Sequence, residues 1–226
     1  DDQLPGLTRL ASKIKEHESI AIAQLYHGGM RCPSDVIGMQ PVSSSDSEKW
    51  GARAMTTQEV ETMIGAFVTA AARAEKAGFD GVELHGAHGY LLAQFLSPEV
   101  NKRTDRFGGS LANRSAPMFE IIQGIRSVCG DDFMIGMRLS PERFGMDLGE
   151  VIEIAQKLMK DGLIEFLDMS LWDVFKEAEA EEYKGQSLLS YFSQLERGDV
   201  RLGVAGKIMT PDDVEKVMGM GIDWVM

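Results

Sequence analysis

The chain has 226 residues, 44% hydrophobic and 26% charged, with a formal net charge of −12. Its length is close to the ~250 residues of one eight-stranded α/β barrel, so one sizeable core is expected. The acidic balance argues against a nucleic-acid surface, which needs clustered Lys and Arg. No run of ~18 apolar residues is present, so no membrane span is expected. The two cysteines, Cys32 and Cys129, stand outside any Cys-x-x-Cys spacing, so no iron–sulfur or zinc site is expected. Unpaired thiols in a reducing cytoplasm follow from that count.

In chain order, Leu7 to Glu16 is amphipathic and predicts a helix. The run Ser19-Ile-Ala-Ile-Ala-Gln-Leu-Tyr26 predicts a buried strand. Thr56 and Glu59 fit a capping box, and Val60, Met63, Ile64, Phe67, Val68 and Ala71 follow at helical spacing up to Gly78. Phe79 to Leu84 reads as a strand, Met118 to Val128 as a helix, and Phe133-Met-Ile-Gly-Met-Arg-Leu139 as the next strand. Leu148 to Met159 predicts another helix, Ile164 to Met169 a strand, Ser187 to Glu196 a weaker helix, and Val200 to Ala205 a strand. Thr210-Pro-Asp-Asp opens a last helix with a hydroxyl cap, a proline in the first turn and acids over the positive dipole end. Ile222 to Met226 begins a sixth strand. The chain opens at Asp1 without Met or an apolar leader and ends within this strand-like run, which reads as truncation at both ends.

Six strands, each preceded by a helix, predict an α/β fold. The expectation is a TIM (β/α)8 barrel, incomplete here, with residues 1–226 as one domain and two βα units needed for closure. A doubly wound sheet is the rival, but the chain has no Gly-x-Gly-x-x-Gly. In a barrel, chemistry gathers where strands end. The first strand delivers Gln24, Tyr26 and His27, the second His85, His88 and Tyr90, the third Arg138, and the fifth Gly206 and Lys207. Two imidazoles three residues apart can donate to a carbonyl oxygen gaining negative charge, and a phenol can protonate carbon. Alternatively, the histidines hold the loop through its backbone. A metal pair is a weaker alternative, because no carboxylate or third His is placed to join them.

The segments Gly78-Phe-Asp-Gly-Val-Glu-Leu-His-Gly-Ala-His-Gly-Tyr-Leu-Leu-Ala-Gln-Phe-Leu-Ser-Pro98 and Asn101-Lys-Arg-Thr-Asp-Arg-Phe-Gly-Gly-Ser-Leu-Ala-Asn-Arg114 resemble the signature of the old yellow enzyme family of flavin-dependent ene-reductases. Gln24-Leu-Tyr-His-Gly-Gly29, Gly136-Met-Arg-Leu-Ser140 and Val204-Ala-Gly-Lys-Ile208 resemble further segments of it, in order along nearly the whole chain. The resemblance implies FMN across the barrel mouth and NAD(P)H as reductant. Gln24 would meet the pyrimidine edge of the flavin, Arg138 its N1 and C2 carbonyl, and Gly206 its phosphate. Lys207 replaces the second glycine usual in that turn, and would reach the phosphate or point to solvent. His85 and His88 would polarise a small substrate bearing an activated carbon–carbon double bond, and Tyr90 would protonate its α carbon. The two lone cysteines make the cytoplasm the default setting, no metal site is expected from the ligand spacing, and a homo-oligomer is left open.

His27 is expected to be structural. Arg103, Asp105, Arg106 and the Gly108-Gly109 pair are expected to order a long loop free to cover the site. Trp172 and Phe175 either line the mouth or pack. Two other readings stand beside the flavin one. A flavin-free phosphate-binding barrel of aldolase or isomerase type would rely on Lys207, and an inactive fragment would expose strand edges.

Overall fold

A computed structural model describes residues 2–226. In chain order the elements are α1 (Leu4–Lys15), β1 (Ile22–Leu25), α2 (Ser34–Ile37), β2 (Val42–Ser43), β3 (Arg53–Ala54), α3 (Thr57–Lys76), β4 (Gly81–Gly86), α4 (Leu91–Leu96), α5 (Leu111–Val128) and β5 (Met134–Leu139). There follow α6 (Leu148–Lys160), β6 (Phe166–Ser170), α7 (Ser190–Ser193), β7 (Arg201–Ala205), α8 (Pro211–Met218) and β8 (Trp224–Val225).

Six strands form one parallel sheet in the order β1-β4-β5-β6-β7-β8, and β2 pairs with β3 in a small separate ribbon. Consecutive strands of the main sheet are neighbours and each crossover carries a helix, which is the barrel pattern. The sheet is not closed, because β1 and β8 are its two ends. Register sets the layers. Gln24 lies opposite Glu83, His85 opposite Arg138, and Arg138 opposite Asp168.

Alternate strand residues face opposite ways. Val82, Leu84, Ile135, Met137, Leu139, Leu167, Met169, Leu202 and Val204 face the helices, each fully buried. The opposing helix α3 begins at Thr56, whose hydroxyl accepts from the Glu59 N–H at 3.2 Å while the Glu59 carboxylate accepts from the Thr56 N–H at 2.8 Å. Its Val60, Met63, Phe67 and Ala71 are buried in the same core, with Ile64 and Val68 packed at the margin. Each large apolar side chain so buried stabilises the fold by roughly 1.5–3 kcal/mol. The last helix starts as its residues predict, with Thr210 and Asp213 forming a second capping box.

Three expected elements are much shorter than the sequence pattern suggests, the last strand among them at Trp224–Val225. The first strand contracts to four residues because Ser19 and Ile20 precede the point where Asp80 accepts the Ala21 N–H at 2.8 Å and starts the pairing. The weak helix contracts to Ser190–Ser193, between Ser187, which holds the preceding turn, and Gln194.

Candidate active site

β4 delivers His85 at its end, and a tight turn follows. His88 and Gly89 both take left-handed backbone, with φ of 59° and 69°. The His88 N–H donates to Ser140 Oγ at 3.0 Å, which fastens the turn to the end of β5. The Tyr90 N–H donates to the Ala87 carbonyl at 3.2 Å, and α4 leaves in a new direction. Three ionisable rings thereby share one volume. The His85 centroid lies 5.0 Å from His88 and 5.3 Å from Tyr90, and His88 Nδ1 stands 3.2 Å from His85 Nε2. Tyr26, from the end of β1, joins at 5.6 Å from Tyr90.

Both imidazoles are held neutral. Burial lowers His85 to about 4, helped by the repulsion that a protonated His88 would add and by the charge of Arg138. Burial lowers His88 as well, followed by Arg138 and Arg31. His85 Nδ1 is buried with no hydrogen-bond partner among the described residues. A buried polar atom left so is costly unless something else meets it. The reading in which the histidines only hold the loop fits the backbone of His88, but not this nitrogen.

Arg138 stands next to His85 on β5, and its Nε donates to Ser170 Oγ at 2.8 Å. A cavity of about 270 Å³ opens there, lined by His88, Arg138, Ser140, Ser170, Trp172 and Gly206 among others. Gly206 has a φ of 153°, and a Cβ on it would meet the Trp172 carbonyl carbon at 2.9 Å. The turn after β7 therefore packs directly against the Trp172–Asp173 backbone, an approach only a residue without Cβ allows. Lys207 Nζ turns to Asp173 Oδ2 at 3.3 Å and is largely exposed. That placement is unlike the desolvated lysine a Schiff-base enzyme activates. Of the six non-glycine residues with positive φ among those described, His88, Arg143, Phe144, Trp172 and Lys207 ring this mouth, and the sixth is Glu18. Such backbone costs energy and gathers at working sites.

Beneath the mouth lies a polar layer that motif reading passes over. The Gln24 amide donates to the Glu83 carboxylate. Glu83 in turn faces Asp168 within hydrogen-bonding reach, across the inward side of the sheet. Both carboxyl groups are buried. Desolvation first, then Glu83, raise Asp168, against the opposing pull of Arg138. One proton shared between the pair avoids burying two like charges. The available signal is a polar residue at every second position of a strand that is otherwise apolar, as in Val82-Glu-Leu-His85 and Leu167-Asp-Met-Ser170.

The remaining residues sort themselves. His27 Nδ1 accepts from the Gly29 N–H at 3.0 Å, and its carbonyl accepts from the Leu91 N–H, so it binds the turn after β1 to α4. Arg103 pairs with Asp105 and donates to the Ser44 and Met55 carbonyls, while Arg106 pairs with Glu120 and Glu61. Asn101 donates to the Phe95 and Phe107 carbonyls at 2.8 Å. The loop expected to swing over the site is therefore fastened to its neighbours, because its charged residues find partners there. Trp172 is at the mouth, 62% exposed, whereas Phe175 packs against the core under Lys216. Among the described residues no group of three or more His, Cys, Asp or Glu is placed to hold a metal ion, and no helix is long and apolar enough to cross a membrane.

Comparison with known proteins bears on this geometry. The family model described as NADH:flavin oxidoreductase / NADH oxidase matches residues 1–219. A probable NADH-dependent flavin oxidoreductase of Bacillus subtilis (strain 168) is 36% identical over 236 residues, covering 100% of this chain and 63% of that protein. An NADH:fumarate oxidoreductase of Klebsiella pneumoniae (strain 342) is 39% identical over 184 residues, covering 76% of this chain and 20% of its own. The structure of morphinone reductase in complex with tetrahydroNAD superposes with a TM-score of 0.81 at 26% identity, covering 100% of this chain and 66% of that one. The chain thus spans less than two thirds of the length of these two curated relatives.

Proposed function

This chain belongs to the NADH:flavin oxidoreductase / NADH oxidase family, an oxidoreductase family that works with FMN and NAD(P)H, and on that premise we propose that the whole protein reduces an activated carbon–carbon double bond in a small molecule. The observation that carries the reading is the convergence of Tyr90, His85 and His88 in one volume beside the cavity that joins Arg138 to Gly206.

The residues present fit the cofactor. Arg138 is a fixed cation whose only hydrogen bond among the described residues goes to a hydroxyl, leaving N–H groups for the electron-rich edge of a flavin. Gln24 offers an amide with both donor and acceptor to the pyrimidine edge. Gly206 lines the cavity, so its backbone is within reach of a phosphate bound there. Lys207 would add its charge there only by leaving Asp173. When bound, FMN supplies a hydride acceptor and donor between NAD(P)H and the second substrate.

The chain's own residues do the rest. His85 and His88 are neutral at physiological pH, so each offers one N–H and neither adds a charge. Their N–H groups would bind the carbonyl or nitro oxygen of the acceptor and strengthen their hold as that oxygen gains charge. The mutual His85–His88 contact would open to admit it. The Tyr90 hydroxyl would deliver the proton that the α carbon takes up. Small-molecule acceptors accord with relatives named for fumarate and morphinone.

The test is the visible spectrum of the full-length protein, with and without FMN. A bound flavin band that NADH or NADPH bleaches without oxygen, and that an enone restores, is the expected result. A folded full-length protein that neither carries nor takes up flavin would end the proposal.

A further inference from the structure

We propose that Arg31 binds a carboxylate of the acceptor, so that the preferred substrates are α,β-unsaturated acids rather than neutral enones. The inference rests on the ene-reductase reading above and names its substrate class.

Arg31 lies in the 3-10 turn Gly29–Arg31 after β1 and is half-buried. Its guanidinium carbon sits 5.2 Å from the Trp50 ring centroid and 5.1 Å from that of Phe144, so two aromatic rings hold it. Its Nε donates to the Gly89 carbonyl at 3.1 Å. The fit is close, since a Cβ on Gly89 would meet Nε at 3.0 Å. Neither terminal nitrogen, Nη1 or Nη2, has an acceptor among the described residues, and Arg31 makes no ion pair there. Arg138 likewise lacks a carboxylate among the described residues, but most other arginines do not. Arg103, Arg106, Arg114 and Arg126 each hold a carboxylate. In a chain of net charge −12, a half-buried arginine kept free of carboxylates is notable.

Its position gives it a task. Gly89 follows His88 in the chain, and the Phe144 ring that Arg31 faces also meets the His88 ring edge-on at 6.5 Å. Arg31 is near enough to depress the proton affinity of His88. The unused Nη1 and Nη2 edge is the fork that matches a carboxylate.

The chemistry explains the need. A neutral enone needs only hydrogen-bond donors, which two neutral imidazoles supply. A carboxylate is negative already and is a poor activator, because hydride addition at the β carbon pushes a second charge onto it. Neutral donors cannot offset that charge, whereas a guanidinium can. The net reaction balances as enoate plus NAD(P)H plus a proton giving the saturated carboxylate and NAD(P)+. The new C–H bonds at the β and α carbons take the hydride and the proton, and the carbon–carbon π bond is lost.

The experiment compares acrylate with methyl acrylate on full-length holoenzyme, wild type and Arg31→Met, with Arg31→Lys as the charge-keeping variant. Arg31→Met is expected to lower kcat/KM for the acid relative to the ester by roughly 10- to 100-fold, the range of a charged hydrogen bond, mostly through KM. Arg31→Lys is expected to recover part of that ratio. Binding gives a readout apart from turnover: propionate, but not propionamide, should perturb the flavin spectrum of wild type and lose that effect in Arg31→Met. An equal fall for acid and ester would make Arg31 a mere anchor of the Gly89 turn and overturn the proposal. So would a loss confined to reduction by NADPH, which would place a nucleotide phosphate on Arg31 instead. Failure of the underlying reading looks different, because flavin binding and bleaching would then be absent in wild type before any acceptor is added.

Discussion

On the helix side of the sheet, Leu84, Met137 and Leu167 are fully buried among apolar neighbours. One residue away along the same strands, on the inner side, stand Glu83 or His85, Arg138 and Asp168. The two faces share a backbone, and Glu83, His85 and Asp168 are buried as the apolar residues are, but the faces do opposite work. The outer face gains by excluding water from hydrocarbon. The inner face buries charge and polarity at a cost, and keeps them tolerable through Gln24–Glu83, the Glu83–Asp168 pair and Arg138–Ser170. The comparison teaches that stability and chemistry are separated here by a side-chain period of two rather than by distance.

Substitutions on the two faces should therefore dissociate. The largest effect is expected inside, at the mouth. Tyr90→Phe should slow reoxidation of the reduced flavin by an enone about 10²- to 10⁴-fold, as for loss of a general acid, while the thermal midpoint and the rate of flavin reduction hold. Stopped-flow of each half-reaction checks this, and equal slowing of both would assign Tyr90 to cofactor binding. Next comes the outer face. Leu84→Ala should cost about 2–5 kcal/mol in denaturant unfolding, through lost transfer energy and the cavity left behind. Activity per folded molecule should stay near wild type. A variant of full stability and damaged turnover would erase the distinction between the faces.

The distinction also has a pH signature. His85 titrates near 4 in the folded chain, below the ordinary 6.5, because burial disfavours its charged form. The unfolded chain then binds more protons between those values, so stability is complete above about pH 6.5 and declines as pH falls toward 4. His88 is shifted the same way and adds to the slope. His85→Asn should flatten this acid limb in urea titrations of the full-length protein. An unchanged limb would mean that carboxylates elsewhere control it.

Much of this was legible beforehand. The alternation of apolar helices and strands gave the parallel barrel order, and Thr56–Glu59 gave a helix start, because both signals are local. The clustering of His85, His88 and Tyr90 was legible as a motif. Its geometry was not, since it depends on His88 taking left-handed backbone and on Ser140, 52 residues away, fastening the turn. The Glu83–Asp168 pair escaped because each residue alone reads as an ordinary strand polar group, and only the sheet register brings them within reach. Arg31 escaped for a similar reason: what marks it is the partner it lacks, and a sequence shows only the residue.

The smallest expected effect tests that overlooked pair. Asp168 is raised by burial and by Glu83, so the folded chain holds its proton more tightly than the unfolded one. By the same linkage its favourable contribution is complete at acid pH, below the ordinary carboxyl value of about 3.9, and is lost as pH rises through the raised value. Asn at this position keeps the shape and supplies a permanent N–H where the wild type must borrow a proton to satisfy Glu83. Asp168→Asn should accordingly change little near pH 5, where the pair already holds its proton. It should raise the unfolding midpoint at pH 9, where the wild type would bury two carboxylates side by side. The difference between the two pH values matters, because any general packing fault of the Asn variant would appear equally at both. A variant destabilised more at pH 9 than at pH 5 would instead mean that Asp168 is ionised in the fold and holds Arg138 as an ion pair, and the inner face would then be stabilised by charge pairing rather than by a shared proton.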